Sequence, residues 1–287
     1  MSDTTYIAPT TLEEAAEALR AGGATILAGG TDLMPQSKVG KIKIGRTLIN
    51  IRRVAGLGGI ARDGANIRIG ALATIAELLA SDLVRAELPA LWLAADKFAS
   101  SQIRNAGTVG GNICNASPAG DTLVPLLAYD AKVELATKPN GRIERRILPL
   151  ADFLLAPGKT ARRPEELVTG VLIAAPPAGT IGLFEKFGTR PALDISTVSV
   201  GFVGCAKGGK VEAARLVFGA VAPTPIRGKA TEEAIVGRQL DDASIARAAD
   251  IAAQEVKPIS DVRATAWYRR EMIRNLTRSV LTDVARR

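Results

Sequence analysis

The spacing of apolar and polar residues alternates between two periods along the chain, and each period predicts one kind of element. Between residues 10 and 20 the apolar positions recur at helical spacing, and Thr10 with Glu13 fits a capping box that begins the helix. Short apolar runs at 24–28 and 47–51 predict strands. Because helices and strands alternate from the outset, the pattern favours a layered α/β domain.

The same two periods continue through the middle of the chain. Further elements are predicted in this order: a strand at 66–69, a capped helix opening over Thr74–Glu77, a helix over 88–98, a hairpin of strands 131–135 and 142–147 around Asn140-Gly141, and a strand over 166–173. Pro176-Pro177-Ala178-Gly179 is typical of a linker. We therefore predict one domain over residues 1–176 and a second over 177–287.

The second domain shows a run of strands followed by a run of helices. Strands are predicted at 181–187, 195–205 and 213–221, with a turn at 207–210 between the last two. Helices are predicted at 231–236, 243–256 and 262–286. The sequence shows neither an internal repeat nor a low-complexity tract.

Composition and charge narrow the class of protein. The 287 residues are 47% hydrophobic, which is ample for a buried core. The formal net charge is +8, which fits either a nucleic acid or an anionic cofactor. The basic residues are mostly scattered, and no aromatic and basic residues interleave as in an RNA-binding sheet. We expect no nucleic-acid partner.

Histidine and cysteine usage excludes several kinds of site. The chain has no histidine and two cysteines, Cys114 and Cys205. Histidine-based triads, histidine-ligated zinc, a histidyl-linked flavin and a four-cysteine iron–sulfur cluster are therefore excluded. Two cysteines at this length do not make a secreted disulfide framework. We expect no metal site and no catalytic acid–base pair in this chain.

The start of the chain and its apolar runs bear on location. Residues 1–6 lack a basic segment followed by an apolar one, so no signal peptide is expected. No apolar run approaches membrane-spanning length. These features predict a soluble cytoplasmic protein.

Two glycine-rich stretches, at 27–34 and 104–121, suggest the chemistry of the site. Gly107, Gly110 and Gly111 are expected to permit a positive φ and a close approach of the backbone. Backbone N–H groups exposed by glycine commonly bind phosphate. Short glycine motifs are also often only tight turns. We predict that the two stretches close on one anionic cofactor.

Several ordered blocks carry a family resemblance that spans nearly the whole chain. They are Ala28-Gly-Gly-Thr-Asp-Leu33, Gln102-Ile-Arg-Asn-Ala-Gly-Thr-Val-Gly-Gly-Asn112, Ala116-Ser-Pro-Ala-Gly-Asp121, Lys186 within Phe184-Glu-Lys-Phe187, Ala222-Pro-Thr-Pro-Ile-Arg227, Ser260-Asp261 and Tyr268-Arg269-Arg270. In these blocks the chain resembles the FAD-binding medium subunit of molybdenum hydroxylases. That group includes aerobic carbon monoxide dehydrogenase, nicotinate-type dehydrogenases and the FAD domain of xanthine dehydrogenase.

The resemblance implies a fold and a cofactor. The fold class is α+β: an FAD-binding domain of the vanillyl-alcohol-oxidase type, made of two α/β subdomains, followed by a smaller C-terminal domain with an antiparallel sheet and helices. The implied cofactor is non-covalent FAD.

The resemblance also implies which residues bind the cofactor. They are Leu27, Ala28, Gly29, Gly30, Thr31, Asp32, Leu33, Met34, Phe98, Thr108, Val109, Gly110, Gly111, Asn112, Asp121, Leu167 and Lys186. The segment 27–34 would supply backbone donors to the pyrophosphate. The segment 108–112 would form a second wall, with the Thr108 hydroxyl and main-chain N–H groups on phosphate oxygens. Asp121 would accept from a ribityl or ribose hydroxyl, Leu167 would touch the isoalloxazine ring, and Lys186 would lie near its polar edge.

The function implied by the resemblance is electron transfer. The chain would be the flavin subunit of a complex in which a large subunit with molybdopterin oxidises the substrate. Electrons would reach the FAD through the [2Fe–2S] clusters of a small subunit and pass to an external acceptor. A dimer of heterotrimers is the implied assembly.

Two departures from the family pattern refine this expectation. Carbon monoxide dehydrogenases of this group usually carry His-Ser where this chain has Thr31-Asp32. This difference favours an N-heterocyclic or aromatic substrate, with a carbon monoxide dehydrogenase medium subunit as the alternative. The Cys-rich insertion that would hold an extra iron–sulfur cluster in this subunit is absent from the sequence. Further alternatives are a non-catalytic module that binds a nucleotide or a protein, and a self-sufficient flavin oxidase or reductase.

Several of these residues also have purely structural interpretations. Asp32 could cap a helix, Lys186 could be a surface lysine, and Arg104 could hold its loop through carbonyl groups. Cys114 is expected to be a small buried thiol rather than a redox group, and Cys205 to be structural. Trp92 and Trp267 are expected in the core or at an interface. The Arg-rich segment 268–287 is expected to be a solvated helix face or a subunit interface.

Overall fold

The computed structural model describes residues 4–190 and 194–287. The start of the chain, from which no signal peptide was expected, lies partly outside the described residues. The strands of the first part are β1 (Thr5–Ile7), β2 (Ala24–Leu27), β3 (Thr47–Asn50), β4 (Ile60–Asp63), β5 (Asn66–Gly70), β6 (Lys132–Thr137), β7 (Glu144–Pro149), β8 (Leu154–Ala156), β9 (Lys159–Thr160) and β10 (Leu167–Ala174).

These strands form two main sheets, one parallel and one antiparallel. The first sheet is parallel, with order β1-β3-β2. The second is antiparallel, with order β4-β5-β10-β6-β7. The predicted hairpin around Asn140-Gly141 is confirmed as β6 and β7, and Gly141 has a φ of +75°. Strands β8 and β9 pair with each other.

The helices of the first part connect and cover these sheets. They are α1 (Leu12–Arg20), α2 (Leu33–Lys38), α3 (Ile75–Ala80), α4 (Asp82–Glu87), α5 (Pro89–Asp96), α6 (Ser101–Ala106), α7 (Val109–Asn115), α8 (Leu123–Ala128) and α9 (Leu150–Phe153). The capping box predicted at Thr74 and Glu77 is confirmed. The one predicted at Thr10 and Glu13 is wrong by one residue, because Thr11 is the N-cap and Glu14 completes the box.

The second part is built on another antiparallel sheet. Its strands are β11 (Ile181–Phe187), β12 (Val198–Lys207), β13 (Lys210–Gly219) and β14 (Ile226–Arg227), in that spatial order. Its helices are α10 (Lys229–Ile235), α11 (Asp242–Glu255) and α12 (Ala266–Ala285). The predicted α+β architecture, with two subdomains and a smaller C-terminal unit, is therefore confirmed.

The two parts pack closely because glycine lies where the C-terminal sheet meets helices α5 and α8. A Cβ on Gly182 would lie 2.6 Å from the Tyr129 hydroxyl oxygen, and one on Gly201 would lie 2.8 Å from a methyl carbon of Val124. Phe184, on β11, belongs to the same buried apolar cluster as these two helices. The sheet of the second part thus completes the core of the first.

The glycine-rich stretch 104–121 differs most from its prediction. It was expected to be a loop with positive φ at three glycines, yet most of its first half is helical, in α6 and α7. Gly107, Gly110 and Gly111 are not among the described glycines with positive φ. The expectation of positive φ is therefore wrong, and a different constraint selects these glycines.

Candidate functional site

A cavity of about 410 Å³ lies between the parallel sheet, α7 and the β8–β9 hairpin. This volume is within the usual range of cofactor sites, roughly 300–1,000 Å³. The structure brings most of the predicted site residues to its lining: Ala28, Gly29, Gly30, Thr31, Asp32, Leu33, Phe98, Thr108, Gly110, Gly111, Asn112 and Leu167. Leu27, Met34, Val109, Asp121 and Lys186 lie outside that lining.

The turn between β2 and α2 presents unpaired backbone donors to this cavity. The N–H groups of Gly29, Gly30, Thr31 and Asp32 donate to no acceptor within the described ranges 4–190 and 194–287. Gly30 has a φ of +73°, a conformation that glycine adopts without strain. Consecutive free N–H groups of this kind form a concave site for an anion. The turn therefore has the donor chemistry of a phosphate cradle.

Helix α7 forms the opposite wall, but its amides are not free. The N–H of Val109 donates to the Ala73 carbonyl at 2.9 Å, and that of Gly110 to the Ala71 carbonyl at 2.8 Å. The N–H of Gly111 donates to the Thr108 hydroxyl at 3.1 Å, which caps the helix. These amides already have acceptors within the protein, and the contact of the segment 108–112 with phosphate oxygens stays a prediction.

Gly110 and Gly29 are required by contacts within the protein. A Cβ on Gly110 would lie 2.8 Å from both the Cβ and the carbonyl oxygen of Ala71. A Cβ on Gly29 would overlap the carbonyl oxygen of Ala106, at the end of α6. These glycines let the two walls of the cavity approach each other.

Side-chain hydrogen bonds connect the cavity walls. The Asn115 amide donates to the Asp32 carboxylate at 3.1 Å, joining α7 to the turn before α2. Asp32 lies at the N-cap position of α2 but makes no capping hydrogen bond, so the predicted capping role is wrong. The Asn112 amide oxygen accepts from the Thr122 hydroxyl at 2.6 Å.

One part of the lining is apolar. Leu167 and Val168 begin β10, and Ile51 follows β3. Phe98 is held in place by Arg104, whose guanidinium donates to the Phe98 carbonyl at 2.9 Å. The prediction that Arg104 holds its loop through carbonyl groups is therefore confirmed. The cavity thus combines a donor-rich part with an apolar part that suits a flat ring.

Sequence reasoning missed several lining residues, among them Ala71, Asn115, Gly158, Thr160 and Arg162. The Gly158 N–H donates to the Ala116 carbonyl at 3.2 Å, which holds the β8–β9 hairpin against the end of α7. This long-range contact brings Thr160 and Arg162 to the cavity. Neither residue lies in a glycine-rich block, so no local motif distinguished them.

Cys114 also lines the cavity, on the inner side of α7. Burial raises the pKa of its thiol to about 11, although the nearby Arg162 guanidinium acts in the opposite direction. A thiol with this pKa is protonated at neutral pH and is a poor nucleophile. The environment agrees with the predicted thiol without a redox role, although Cys114 was predicted to be buried and is only partly so.

Asp121 and Lys186 form an ion pair that joins the two parts of the chain. The Lys186 ammonium lies 2.7 Å from the Asp121 carboxylate, and both side chains are about nine-tenths buried. Lys186 also donates to the Asp194 carbonyl at 3.0 Å, and the Ser196 hydroxyl donates to Asp121 at 2.5 Å. Burial raises the pKa of Asp121, while Lys186 and Ser196 oppose that change. Lys186 is therefore not a surface residue, and a contact of either residue with FAD stays a prediction.

Comparison with known proteins identifies the family. Residues 2–176 match a family described as the FAD binding domain in molybdopterin dehydrogenase, and residues 184–284 match the CO dehydrogenase flavoprotein C-terminal domain. The xanthine dehydrogenase FAD-binding subunit of Escherichia coli O157:H7 is 34% identical over 91% of this chain and 88% of its own length. The chain belongs to the FAD-binding medium subunits of the molybdenum hydroxylases.

Further relatives of this FAD-binding medium subunit align with it over nearly their whole lengths, and solved ones share its fold. The carbon monoxide dehydrogenase medium chain of Hydrogenophaga pseudoflava is 32% identical over 96% of this chain and 95% of its own. A structure of carbon monoxide dehydrogenase from the same organism, lacking the Mo-pyranopterin moiety, matches with a TM-score of 0.90 at 33% identity, covering 96% of this chain and 95% of that one. Quinoline 2-oxidoreductase from Pseudomonas putida 86 has a TM-score of 0.92 at 24% identity, covering 99% of this chain and 97% of that one, which shows the shared fold.

FAD is the cofactor of this family of medium subunits, and the cavity fits it. The free N–H groups of residues 29–32 suit the anionic pyrophosphate, and the apolar lining from β10 suits the isoalloxazine ring. The chain is thus a flavoprotein component of a molybdenum-dependent oxidoreductase. No helix among the described residues has both the length and the apolar character needed to cross a membrane.

Proposed function

We propose that this chain is the electron-transfer subunit of a heteromeric molybdenum hydroxylase. FAD, when bound here, supplies the redox chemistry that links the [2Fe–2S] clusters of a small partner subunit to an external electron acceptor. The residues of this chain bind and orient the cofactor. Substrate oxidation belongs to the large subunit that carries molybdopterin.

The observation that carries this proposal is the composition of the cavity. Free backbone N–H groups and hydroxyl groups face it, and Asp32 and Arg162 are the only charged side chains in its lining within the described ranges. Asp32 already accepts from Asn115. Such a lining binds and orients a cofactor but offers no paired acid and base for substrate chemistry. Electron transfer through a bound flavin requires that the cofactor be bound and oriented, but it requires no acid–base pair for substrate chemistry.

Several of the predicted binding residues keep a proposed role that their positions permit. The turn 29–32 holds the pyrophosphate through its N–H groups, and the Thr108 hydroxyl lies on the opposite wall. Leu167 and Phe98 shape the apolar part around the ring. Asp121 and Lys186 act at the junction of the two parts, where Asp121 accepts from a ribityl or ribose hydroxyl and Lys186 lies near the polar edge of the ring.

Exposed apolar side chains support the proposed partner subunits. Ile259 and Val262, which precede α12, and Trp267, in its first turn, are largely exposed. Trp267 has 67% of its surface accessible. The expected core position of Trp267 is therefore wrong, which leaves the interface interpretation. Clustered exposed apolar residues commonly mark protein–protein contacts. We propose a dimer of heterotrimers with a small iron–sulfur subunit and a large molybdenum subunit.

We further propose an N-heterocyclic or aromatic substrate for the complex, with carbon monoxide as the alternative. The support is Thr31-Asp32 in the turn where the carbon monoxide enzymes usually carry His-Ser. The E. coli xanthine dehydrogenase subunit and the Hydrogenophaga carbon monoxide subunit are 34% and 32% identical to this chain, so overall identity does not separate the two classes. Assays of the purified complex with xanthine, nicotinate and carbon monoxide distinguish them.

A titration of the purified full chain with FAD tests the proposal. We expect quenched flavin fluorescence, a saturable flavin absorbance on the protein and a raised melting temperature, because a ligand that binds only the folded state stabilises it. Unchanged melting temperature and free flavin throughout would refute FAD binding and favour the non-catalytic module. Turnover of an organic substrate by the isolated chain would instead favour a self-sufficient flavoenzyme.

A further inference from the structure

A positive charge in the cavity would strengthen the binding of an anionic cofactor. The turn between β2 and α2, which we call the first loop (residues 28–32), supplies N–H groups but no cation. Its Asp32 adds a negative charge to the lining. Lys186, the cation predicted near the ring, pairs with Asp121 outside the lining. Within residues 4–190 and 194–287, Arg162 is the only cation that lines the cavity.

Arg162 is held at one edge of its guanidinium group and open at the other. Its Nη1 donates to the carbonyl oxygens of Arg163 at 2.9 Å, Pro164 at 3.2 Å and Glu166 at 2.7 Å. Its Nε and Nη2 have no acceptor among the residues that the structure describes. A guanidinium group binds an oxyanion through a pair of neighbouring N–H groups, so an immobilised group with a free edge is prepared for one.

The surroundings of Arg162 place this free edge with the other donors. The Gly158–Ala116 hydrogen bond fixes the hairpin before Arg162 against α7. Helix α7 is in turn joined to the first loop through Asn115 and Asp32. Arg162, the Thr160 hydroxyl and the free N–H groups of residues 29–32 therefore line one cavity.

We propose that Arg162 is a cofactor-binding residue whose guanidinium group binds phosphate oxygens of FAD. This inference rests on the proposed function, since it assigns a further residue to the same cofactor site. The free N–H groups of the first loop and Arg162 bind the pyrophosphate from two sides. Arg162 also offsets the negative charge of Asp32, which otherwise repels the cofactor.

Titrations of the full chain with FAD and with riboflavin, which has no phosphate, test this role. Arg162→Gln is expected to weaken FAD binding by about 10- to 100-fold, the range for a hydrogen bond to a charged group. It should leave riboflavin binding nearly unchanged and should reduce the dependence of the FAD Kd on salt. Arg162→Lys keeps the charge without the paired donors, so it should retain the salt dependence with an intermediate Kd.

Arg163→Gln is the matched control, because it removes the same charge from an exposed neighbouring side chain. Equal FAD affinities for the Arg162→Gln and Arg163→Gln variants, with equal salt dependence, would overturn the proposal. An equal loss of riboflavin and FAD would also overturn it, since the cavity rather than the phosphate contact would then be altered. If the wild-type chain bound no FAD, the proposed function would fail together with this inference. Wild-type binding that survives Arg162→Gln unchanged overturns the inference alone.

Discussion

Gly29 and Gly30 are adjacent in the cofactor loop, and each is required for a different reason. Gly30 has a positive φ, which most side chains adopt only with strain. Gly29 has room for no side chain, because a Cβ would overlap the Ala106 carbonyl oxygen. A substitution at Gly29 therefore changes the distance between the first loop and α6, and with it the shape of the cavity.

Gly29→Ala is expected to lower both FAD occupancy and stability, since overpacking at a close contact typically costs about 1–3 kcal/mol. Thermal unfolding of the FAD-free protein and an FAD titration check the two effects. Gly58→Ala is the matched control, because a Cβ there meets no atom within 4 Å and the backbone is not in the positive-φ region. If the two alanine variants behaved alike, the proposed collision with Ala106 would not be the constraint.

Cys114 is expected to resist alkylation at neutral pH. With a pKa of about 11, roughly one thiol in a thousand is ionised at pH 8. In a Cys205→Ser background, the rate of iodoacetamide labelling should rise through about pH 11, and bound FAD should slow it because Cys114 lines the cavity. Fast labelling at pH 7 would contradict the protonated thiol. Labelling that FAD does not affect would contradict its position in the cofactor site.

The residues around the cavity show what could be predicted at this scale and what could not. The need for glycine at Gly110 was predicted for two reasons: a positive φ, which is wrong, and a close approach of the backbone, which occurs within the protein. The true contact is with Ala71, which lies 39 positions earlier in the chain. Ala71 and Ala73 also accept the N–H groups that had been assigned to the cofactor. Local patterns carry no information about such distant acceptors.

Helix α12 shows the same limit at the scale of an element. Its extent was predicted closely, as a helix within 262–286 that the structure gives as Ala266–Ala285. Its arginines were expected to be solvated or at an interface, yet Arg269 is 1% exposed. Arg269 lies 2.7 Å from the Asp261 carboxylate and donates to the carbonyls of Thr197 and Ala220. The charge pattern alone could not separate this buried arginine from its exposed neighbours.

Arg269→Met is expected to destabilise the folded protein by about 1.5–3 kcal/mol, the range for hydrogen bonds to a charged group, because Asp261 keeps its ion pair with Arg263. The loss leaves Asp261 with one fewer partner and two buried carbonyl groups without this donor. Urea unfolding of the full chain measures the change. Arg278→Met, an exposed position on the same helix, serves as the control and should change stability by less than about 0.5 kcal/mol. Similar losses in both variants would contradict the anchoring role of Arg269.

The ion pair of Arg269 with Asp261 should make the stability of the protein depend on pH. Burial acts to raise the pKa of Asp261, but hydrogen bonds from Arg263, Ala264 and Arg269 outweigh it and hold the pKa far below its ordinary 3.8. A lowered pKa stabilises the fold above the ordinary value, and this contribution is lost as the pH falls below it. The Asp261→Asn variant should therefore lose less stability than the wild type between about pH 5 and pH 2. If the free energies of unfolding of the wild type and the variant fell equally over that range, Asp261 would not be the group responsible.

Elements with a long, clear period were predicted well, and those without one were missed. Strand β11 was predicted at its observed bounds, 181–187. Strand β1, with three residues, and β9, with two, are too short to show a period. Strand β1 pairs with β3, and β9 pairs with β8 in a hairpin. Both short strands therefore form because of their pairing partners and not because of a local pattern.

At the scale of the whole molecule, the junction of the two parts depends on a buried ion pair. Asp121 precedes α8 and Lys186 lies on β11, so their contact joins the segments matched by the two domain families. The predicted boundary after residue 176 stays a prediction. The Ser196 hydroxyl gives the carboxylate a second donor, also from the C-terminal part. A loss of the charge on this buried acid is therefore expected to weaken the contact between the two parts.

Lys186→Met is expected to destabilise the protein by about 3–5 kcal/mol, because it leaves the Asp121 carboxylate buried with only the Ser196 donor. Adding Asp121→Asn should recover part of that loss, since the neutral amide needs no counterion. The sign of the pH effect follows from burial, which raises the pKa of Asp121. Without Lys186 the folded state holds the proton more strongly than the unfolded state does, so the stability of the Lys186→Met variant should fall as the pH rises above about 4.

Urea unfolding of the wild type, both single variants and the double variant at pH 5 and pH 7 completes a double-mutant cycle. A coupling free energy near zero at both pH values would show that the pair does not hold the two parts together. The same four proteins separate structure from cofactor binding. If Asp121 accepts from a hydroxyl of FAD, Asp121→Asn should weaken FAD binding even where the double variant has regained stability. If Asp121 is only a structural partner of Lys186, the FAD affinities of the four proteins should rise and fall with their free energies of unfolding.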